Sequence, residues 1–456
     1  MRILPRLMAI LAALVIPACG AGGSQGGGGT PPAGGWAWMK GSPGVEASGL
    51  YGTLNVAAAA NAPGARFQGA TWVDLLGFVW VFGGEGRDGG GTLGQLNDLW
   101  RFDGSTWTWK GGSNSANQGG VYGTLGTPAA SNVPGARSRA ATWLDGVGNV
   151  WLFGGYGYDG TPLLGYLNDL WVYDGTNWTW MGGSSSRDQN GVYGTQGIGT
   201  AGNIPGGRGG SVAWATSAGL WLFGGAGLGE TGGAGVLNDL WLFNGTNWTW
   251  MKGSKTTGAL GVYGTLGVPS VSNVPGYRSG AMGWTVGTTL WLFGGTGAGE
   301  IAGGGSLNDV WTYDGTWTWV GGSKTIDPSG VYGTLGVAAL ANHPGGRFTG
   351  AIWLDAGGFV WLFGGQGRDS AGTSGYLNDL WRFNGVTWTW MAGGVTVNGG
   401  GVYGTLGVTT ATNVPGARRG AIPFQDAGGQ LWLLGGEGYD ATTTLGKLND
   451  VWRYTP

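Results

Sequence analysis

Residues 65–110 read ARFQGATWVDLLGFVWVFGGEGRDGGGTLGQLNDLWRFDGSTWTWK, and this stretch decides the fold. Four short segments stand out in it: Gly69–Asp74, Phe78–Phe82, Asp98–Phe102 and Thr106–Lys110. Each is rich in aromatic and β-branched residues and bounded by Gly, Asn or Asp, which is the pattern of a β-strand. Val79-Trp80-Val81-Phe82 is apolar on both faces, as suits a strand buried between two stacked sheets. Gly83-Gly84 is expected to stop it, because two glycines supply the backbone freedom of a turn. Beyond residue 18 no stretch shows a 3.6-residue apolar period with caps, so helices are not expected.

The pattern recurs. Leu-Asn-Asp-(Leu/Val)-Trp occurs six times, with its Trp at 100, 171, 241, 311, 381 and 452, an interval of 70 or 71 residues. A Gly-Gly pair follows an apolar run at 83, 154, 224, 294, 364 and 435. Trp-x-Trp begins at 36, 107, 178, 248, 317 and 388, and Tyr-Gly-Thr at 51, 122, 193, 263, 332 and 403. Pro-Gly-x-Arg supplies Arg66, Arg137, Arg208, Arg278, Arg347 and Arg418. Four short antiparallel strands repeated six times predict an all-β, six-bladed β-propeller. The last unit reaches only its third strand, Val451–Tyr454, and Trp36-Ala37-Trp38-Met39 is the missing fourth. Pairing the two ends closes the ring and removes open sheet edges. The alternative is an open array of repeats.

Apolar run–Gly-Gly, then Asp-Leu-Trp-x-(Phe/Tyr)-Asp, then Trp, with Arg opening the first strand, resembles the kelch repeat over residues 36–456. A kelch unit is typically about 50 residues; the surplus here lies between Trp-x-Trp and Pro-Gly-x-Arg and carries Gly-Val-Tyr-Gly-Thr. Similar long units occur in bacterial exported kelch proteins. The resemblance implies that Arg66 and its five equivalents ring one mouth of the central channel. In kelch domains of ubiquitin-ligase adaptors, several such arginines bind acidic peptides. An acid follows each Gly-Gly loop: Asp88, Asp159, Glu230, Glu300, Asp369 and Asp440. The alternative for these twelve residues is therefore an Arg–carboxylate belt that fixes loops, and the acids could instead hold Ca²⁺. Asn97-Asp98 and its equivalents are expected to bond local backbone. Five Trp positions per unit account for all 29 Trp, with Phe424 the one departure, so blade packing rather than sugar stacking is their expected role.

Composition narrows the chemistry. Of 456 residues 107 are Gly, 10% are charged, and the net charge is −2. A chain this rich in Trp can bury a large core, and one this neutral offers no basic face to nucleic acid. Galactose oxidase shares the propeller type but needs two His copper ligands and a Cys–Tyr crosslink. Here Cys19 and His343 are the only residues of their kinds, so that reaction is excluded. His343 stands where other copies have Ala, Val or Ile and is expected to be a tolerated loop residue. Neither sialidase boxes nor a hydrolase elbow or Walker loop is present. No catalytic, metal or cofactor residues are assigned. Kelch epimerases of acidic sugars are the surviving enzyme alternative, and a structural envelope protein is another.

Residues 1–18 read as a signal peptide: Arg2 and Arg6, then an apolar run from Leu7 to Ile16 that is too short to span a membrane. Ile16-Pro17-Ala18-Cys19-Gly20 resembles a bacterial lipobox, with Cys19 the lipidated residue and 19–35 a Gly-rich tether. An outer-membrane or cell-surface lipoprotein follows, the alternatives being periplasmic or secreted. Its propeller, expected to be monomeric, would bind a protein or an acidic or sugar ligand and touch membrane only through the anchor. Asymmetric ligands favour positions where the copies diverge. After Gly-Gly these are Glu85/Arg87, Tyr156/Tyr158, Ala226/Leu228, Thr296/Ala298, Gln366/Arg368 and Glu437/Tyr439. Two residues past the repeated Arg stand Gln68, Arg139, Gly210, Gly280, Thr349 and Gly420, with Arg419 beside Arg418. Copies five, six, one and two are polar and aromatic, whereas copies three and four are bland. This predicts a one-sided pocket.

Overall fold

The computed structural model describes residues 34–456; the signal-peptide, Cys19 and tether readings lie outside the described residues. Strand β1 (Gly35–Lys40) opens the described chain, and the first complete blade follows. Its inner strand is broken into β2 (Arg66–Phe67) and β3 (Ala70–Val73), both paired with β4 (Val79–Arg87). Then come β5 (Leu93–Phe102) and the outer β6 (Trp107–Gly111), all antiparallel. Five further sheets repeat the arrangement, giving a six-bladed β-propeller. The last blade is closed by β1: Trp36 pairs with Tyr454 and Trp38 with Trp452.

The Gly-Gly pair does not end its strand, as the sequence suggests; it is a bulge inside it. The β4–β5 register shifts between Phe82 and Gly84, and the ladder resumes at Gly84–Leu96 and runs out to Arg87–Leu93. Gly83 and Gly84 have φ of 62° and 101°. A Cβ on Gly83 would stand 2.7 Å from the carbonyl oxygens of Leu96 and of Arg137 in the next blade. Only glycine allows that approach. The strands are therefore longer than their apolar runs, and each hairpin carries extra residues toward one face of the ring.

The core lies between blades. One cluster joins Val79, Val81, Trp100 and Phe102 to Ile422, Phe424 and Trp432 of the last blade. Another joins Trp72, Trp80 and Phe82 to Leu152, Trp171 and Tyr173 of the second. All 29 Trp are buried or half-buried, as expected of packing residues. Each long insert reaches the outer edge of its blade before returning to the axis. Ala58 bridges Trp107, the Asn55 N–H donates to the Trp109 carbonyl, and Asn61 donates to the Trp107 carbonyl. The otherwise open edge strand is thus covered.

Candidate functional site

The six repeated arginines do not line the channel. Arg66 is fully buried, with Nη1 and Nη2 each 2.7 Å from the two carboxylate oxygens of Asp98. The Tyr51 hydroxyl donates to the same carboxylate at 2.7 Å and the Trp100 indole at 2.6 Å. Arg66 Nε and Nη1 donate in addition to the carbonyls of Gly64 and Gly83. Arg137, Arg208, Arg278, Arg347 and Arg418 repeat the arrangement with Asp169, Asp239, Asp309, Asp379 and Asp450. Each pair is sealed by the Tyr of its insert. Burial alone would lower the Arg66 guanidinium, but the Asp98 carboxylate outweighs it and holds the group charged. Burial, reinforced by Asp98, pushes the Tyr51 hydroxyl far above its ordinary value, so it stays a donor.

Two expectations are corrected here. These arginines are closed off from any peptide or sugar carboxylate, and they pair with the Asp of Asn-Asp rather than with the loop acids. The loop acids have their own work. Asp88 Oδ1 accepts the N–H groups of Gly90 and Thr92, and Oδ2 that of Ala116. Its equivalents Asp159, Asp369 and Asp440 do likewise, which leaves little of each carboxylate for Ca²⁺. Nor is Asn-Asp confined to local backbone: Asn97 reaches the Pro134 carbonyl as well as the Ser113 N–H. His343 forms the same backbone bridge, to Val331, as Val133 does to Val121.

At the axis stand the residues that follow the buried arginines. The N–H of Gln68 donates to the carbonyl of Gly420, Gly420 to Thr349, Thr349 to Gly280, Gly280 to Gly210, Gly210 to Arg139, and Arg139 back to Gln68, at 2.7–3.0 Å. Six amides, one from each blade, thus form a closed hydrogen-bonded ring. All six residues are left-handed, with φ of 52–72°. Glycine adopts this freely; Gln68, Arg139 and Thr349 do so against steric resistance.

Over this ring the diverging side chains meet across blade boundaries. Arg419 donates from Nε and Nη2 to Glu437 (2.8 and 2.6 Å) and from Nη1 to Gln366 (2.7 Å). Its guanidinium lies 5.6 Å from the rings of both Phe67 and Tyr376. Lys447 stands 3.2 Å from Glu85 and 5.1 Å from the Phe67 ring. Gln95 donates to Glu85, while its Oε1 is buried without a partner among the described residues. Arg139 Nε donates to Gln68 at 2.9 Å, and Tyr156 packs against Tyr166 with centroids 5.2 Å apart. The corresponding positions of blades three and four hold Gly209, Ala226 and Val236, and Ser279, Thr296 and Ser306. The polar and aromatic side chains of blades five, six, one and two therefore occupy one side of the axis.

The remaining candidates lie farther out on the same hairpins. Arg87 pairs with Glu46 at 2.6 Å and Arg368 with Asp327 at 2.8 Å. Tyr439 packs on Tyr376 with centroids 6.0 Å apart, and Tyr158 is half-buried. In blades three and four the equivalents Leu228 and Ala298 are buried. Phe67, Gln95, Tyr166, Tyr376 and Lys447 belong to the axial set but escape the sequence reading. Four of them sit two residues before Asn-Asp, on a part of β5 and its equivalents that reads as loop when the strand is taken to begin at Asp98.

No protein-family model matches the chain, and a comparison with curated proteins finds no match.

Proposed function

We propose that the chain is a kelch-type binding module of the bacterial cell envelope, held by lipid on Cys19, that takes an acidic or sugar ligand onto the lopsided set of side chains around its axial ring. Gln68, Arg139 and Thr349 carry the reading. Sister copies place Gly at this left-handed position, and a side chain there costs about 1 kcal/mol, more for a β-branched one. Strain of this kind is kept where a side chain is needed. The cation of Arg139 has no carboxylate partner among the described residues and suits a ligand carboxylate. Tyr156 and Tyr166 offer flat contact area beside it.

The test is a thermal-shift screen of uronic acids, neutral sugars and acidic peptides, because a bound ligand raises the melting temperature by mass action. A hit should vanish in Arg139→Gly and Arg419→Met and persist in Thr296→Ala. Equal loss in all three overturns the placement. For the anchor, Cys19→Ala should release the protein from membranes or trap its precursor; unchanged partition and no acyl label refute it.

A further inference from the structure

On the outer rim, blades three and four each seat a lysine of their own against the insert. Lys255 Nζ donates to the Gly194 carbonyl at 3.2 Å and to Glu230 at 3.1 Å, and lies 5.2 Å from the centroid of the Trp250 ring. Lys324 Nζ stands 3.3 Å from the Gly264 carbonyl, 3.5 Å from Glu300, and 5.0 and 5.9 Å from the Trp319 and Tyr263 rings. A carbonyl, a carboxylate and an aromatic face together make an ammonium site. One hydrogen bond fixes the equivalent position in every blade. The Lys255 carbonyl accepts the N–H of Glu230 and the Lys324 carbonyl that of Glu300; Asn114 accepts from Gly89, Ser185 from Gly160, Val395 from Ser370 and Pro43 from Ala441. Blade five fills the position with Val395, packed on the cluster that holds Tyr332, and blade six has Pro43 there.

Blade one leaves it open. Asn114 is short and exposed, while the aromatic and carbonyl parts of the site are retained. Tyr51 and Trp109 stand edge to face with centroids 5.2 Å apart, against 5.7 Å for Tyr193 and Trp250, and Gly52 has the left-handed φ of Gly194. A cleft of about 600 Å³ is lined by Leu50, Tyr51, Gly52, Gly89, Gly90 and Asn114. Its carboxylate comes from one position earlier: Asp88, where blades three and four have Gly229 and Gly299. Asp88 is 4% exposed; N–H donors satisfy its lone pairs, but its charge has no ion-pair partner among the described residues. A Cβ on Gly90, in the cleft wall, would lie 3.5 Å from its Oδ1. Blade two is also uncapped at Ser185, but Arg187 follows two residues on, where blade one has Ala116. In blade one Arg87 is paired with Glu46, and Lys110 lines a separate cleft toward blade two.

We propose that the blade-one cleft binds a primary ammonium group, carried by a lysine side chain of another protein or by a free amine. Lys255 and Lys324 are the internal precedents for the fit. The ammonium donates to the Gly52 carbonyl, the Tyr51–Trp109 pair attracts its charge, and the uncompensated Asp88 carboxylate favours a cation over an anion. Leu50 offers apolar surface to the methylene stem. A neutral hydroxyl would keep the hydrogen bond and lose the other two attractions. The site is on the rim, apart from the axial set, and stands or falls independently of an axial ligand.

The experiment is saturation-transfer NMR with butylammonium, the end of a lysine side chain, because one such group alone should bind in about the millimolar range. Butylammonium should receive saturation from the protein, and 1-butanol at the same concentration about tenfold less. Asn114→Lys, which gives blade one the side chain of blades three and four, should cut the transfer about tenfold with an unchanged melting temperature. Val386→Lys, the same charge added in an exposed hairpin turn, should leave it intact. Lys255→Ala, which vacates the blade-three seat beside Glu230, should raise the transfer about twofold. Displacement at lower concentration by a neutral peptide with one lysine makes a protein the source of the ammonium; displacement by a diamine makes it a soluble amine. No transfer, equal transfer to 1-butanol, transfer that survives Asn114→Lys, or an equal loss in Val386→Lys overturns the proposal.

Discussion

Arg66 and Arg419 are one residue apart in their repeats and could hardly differ more. Arg66 has five counterparts, each fully buried on an Asp carboxylate with a Tyr and a Trp. Arg419 has none: its equivalents are Phe67, Ser138, Gly209, Ser279 and Phe348, and its partners Glu437 and Gln366 share a repeat position that holds Glu85, Tyr156, Ala226 and Thr296 in the other copies. A strand turns successive side chains to opposite sides. One residue therefore builds the space between blades, where every copy faces the same demand, and the next faces the axis, where the copies differ. Repetition marks what holds the ring together, and departure from it marks the positions proposed here to meet a ligand.

Several measurements would break or sharpen that contrast. Removing residues before 41, and with them β1, takes one strand from the repeated interior and should cost more than any single substitution. Thermal melting within error of the parent would show that the ring is not closed by Trp36–Tyr454 pairing. Alkali should act next most strongly. The raised tyrosines are protonated in the fold, so their contribution is fully present below the ordinary value of 10 and is lost as pH rises above it. Each costs about 1.4 kcal/mol per pH unit in that range. Absorbance titration should find at least the six insert Tyr among the 15 silent until the protein unfolds. Asp98→Asn, which strands a buried guanidinium, should lose about 3–5 kcal/mol in urea denaturation. Glu437→Gln, at a pair only about three-quarters buried, should lose about 1 kcal/mol or less; equal losses would abolish the distinction between interior and axis. The smallest effect has the opposite sign. Gln68→Gly and Arg139→Gly should each stabilise by about 0.5–1 kcal/mol while erasing the ligand response.

The propeller is legible in the sequence because its signals are local and repeated. A strand of Val79-Trp80-Val81-Phe82 type needs a stacked neighbour on both faces, and six copies supply one. Closure follows from Trp36-x-Trp38 standing without its own three strands. The site is legible only in part. Divergence points to Glu85, Tyr156, Arg419 and Glu437, but side-chain direction is a matter of single-residue register. Placing Arg66 in the channel rather than Phe67 is a slip of one. Reading Gly83-Gly84 as a stop instead of a bulge shortens two strands and hides Gln95 and Lys447. The part played by Tyr51 depends on where its insert travels, some forty-seven residues from Asp98, and spacing does not carry that information.

The ring of amides at the axis has no first member. Each unit gives one proton and receives one, so the seam in the last blade, where β1 meets the strand ending at Thr455, leaves no trace there. Joining the old ends and opening the chain in another hairpin turn would present the axis with the same cycle. Circular permutants should therefore share one centre and differ only at the circumference, and the chain can be read from any blade.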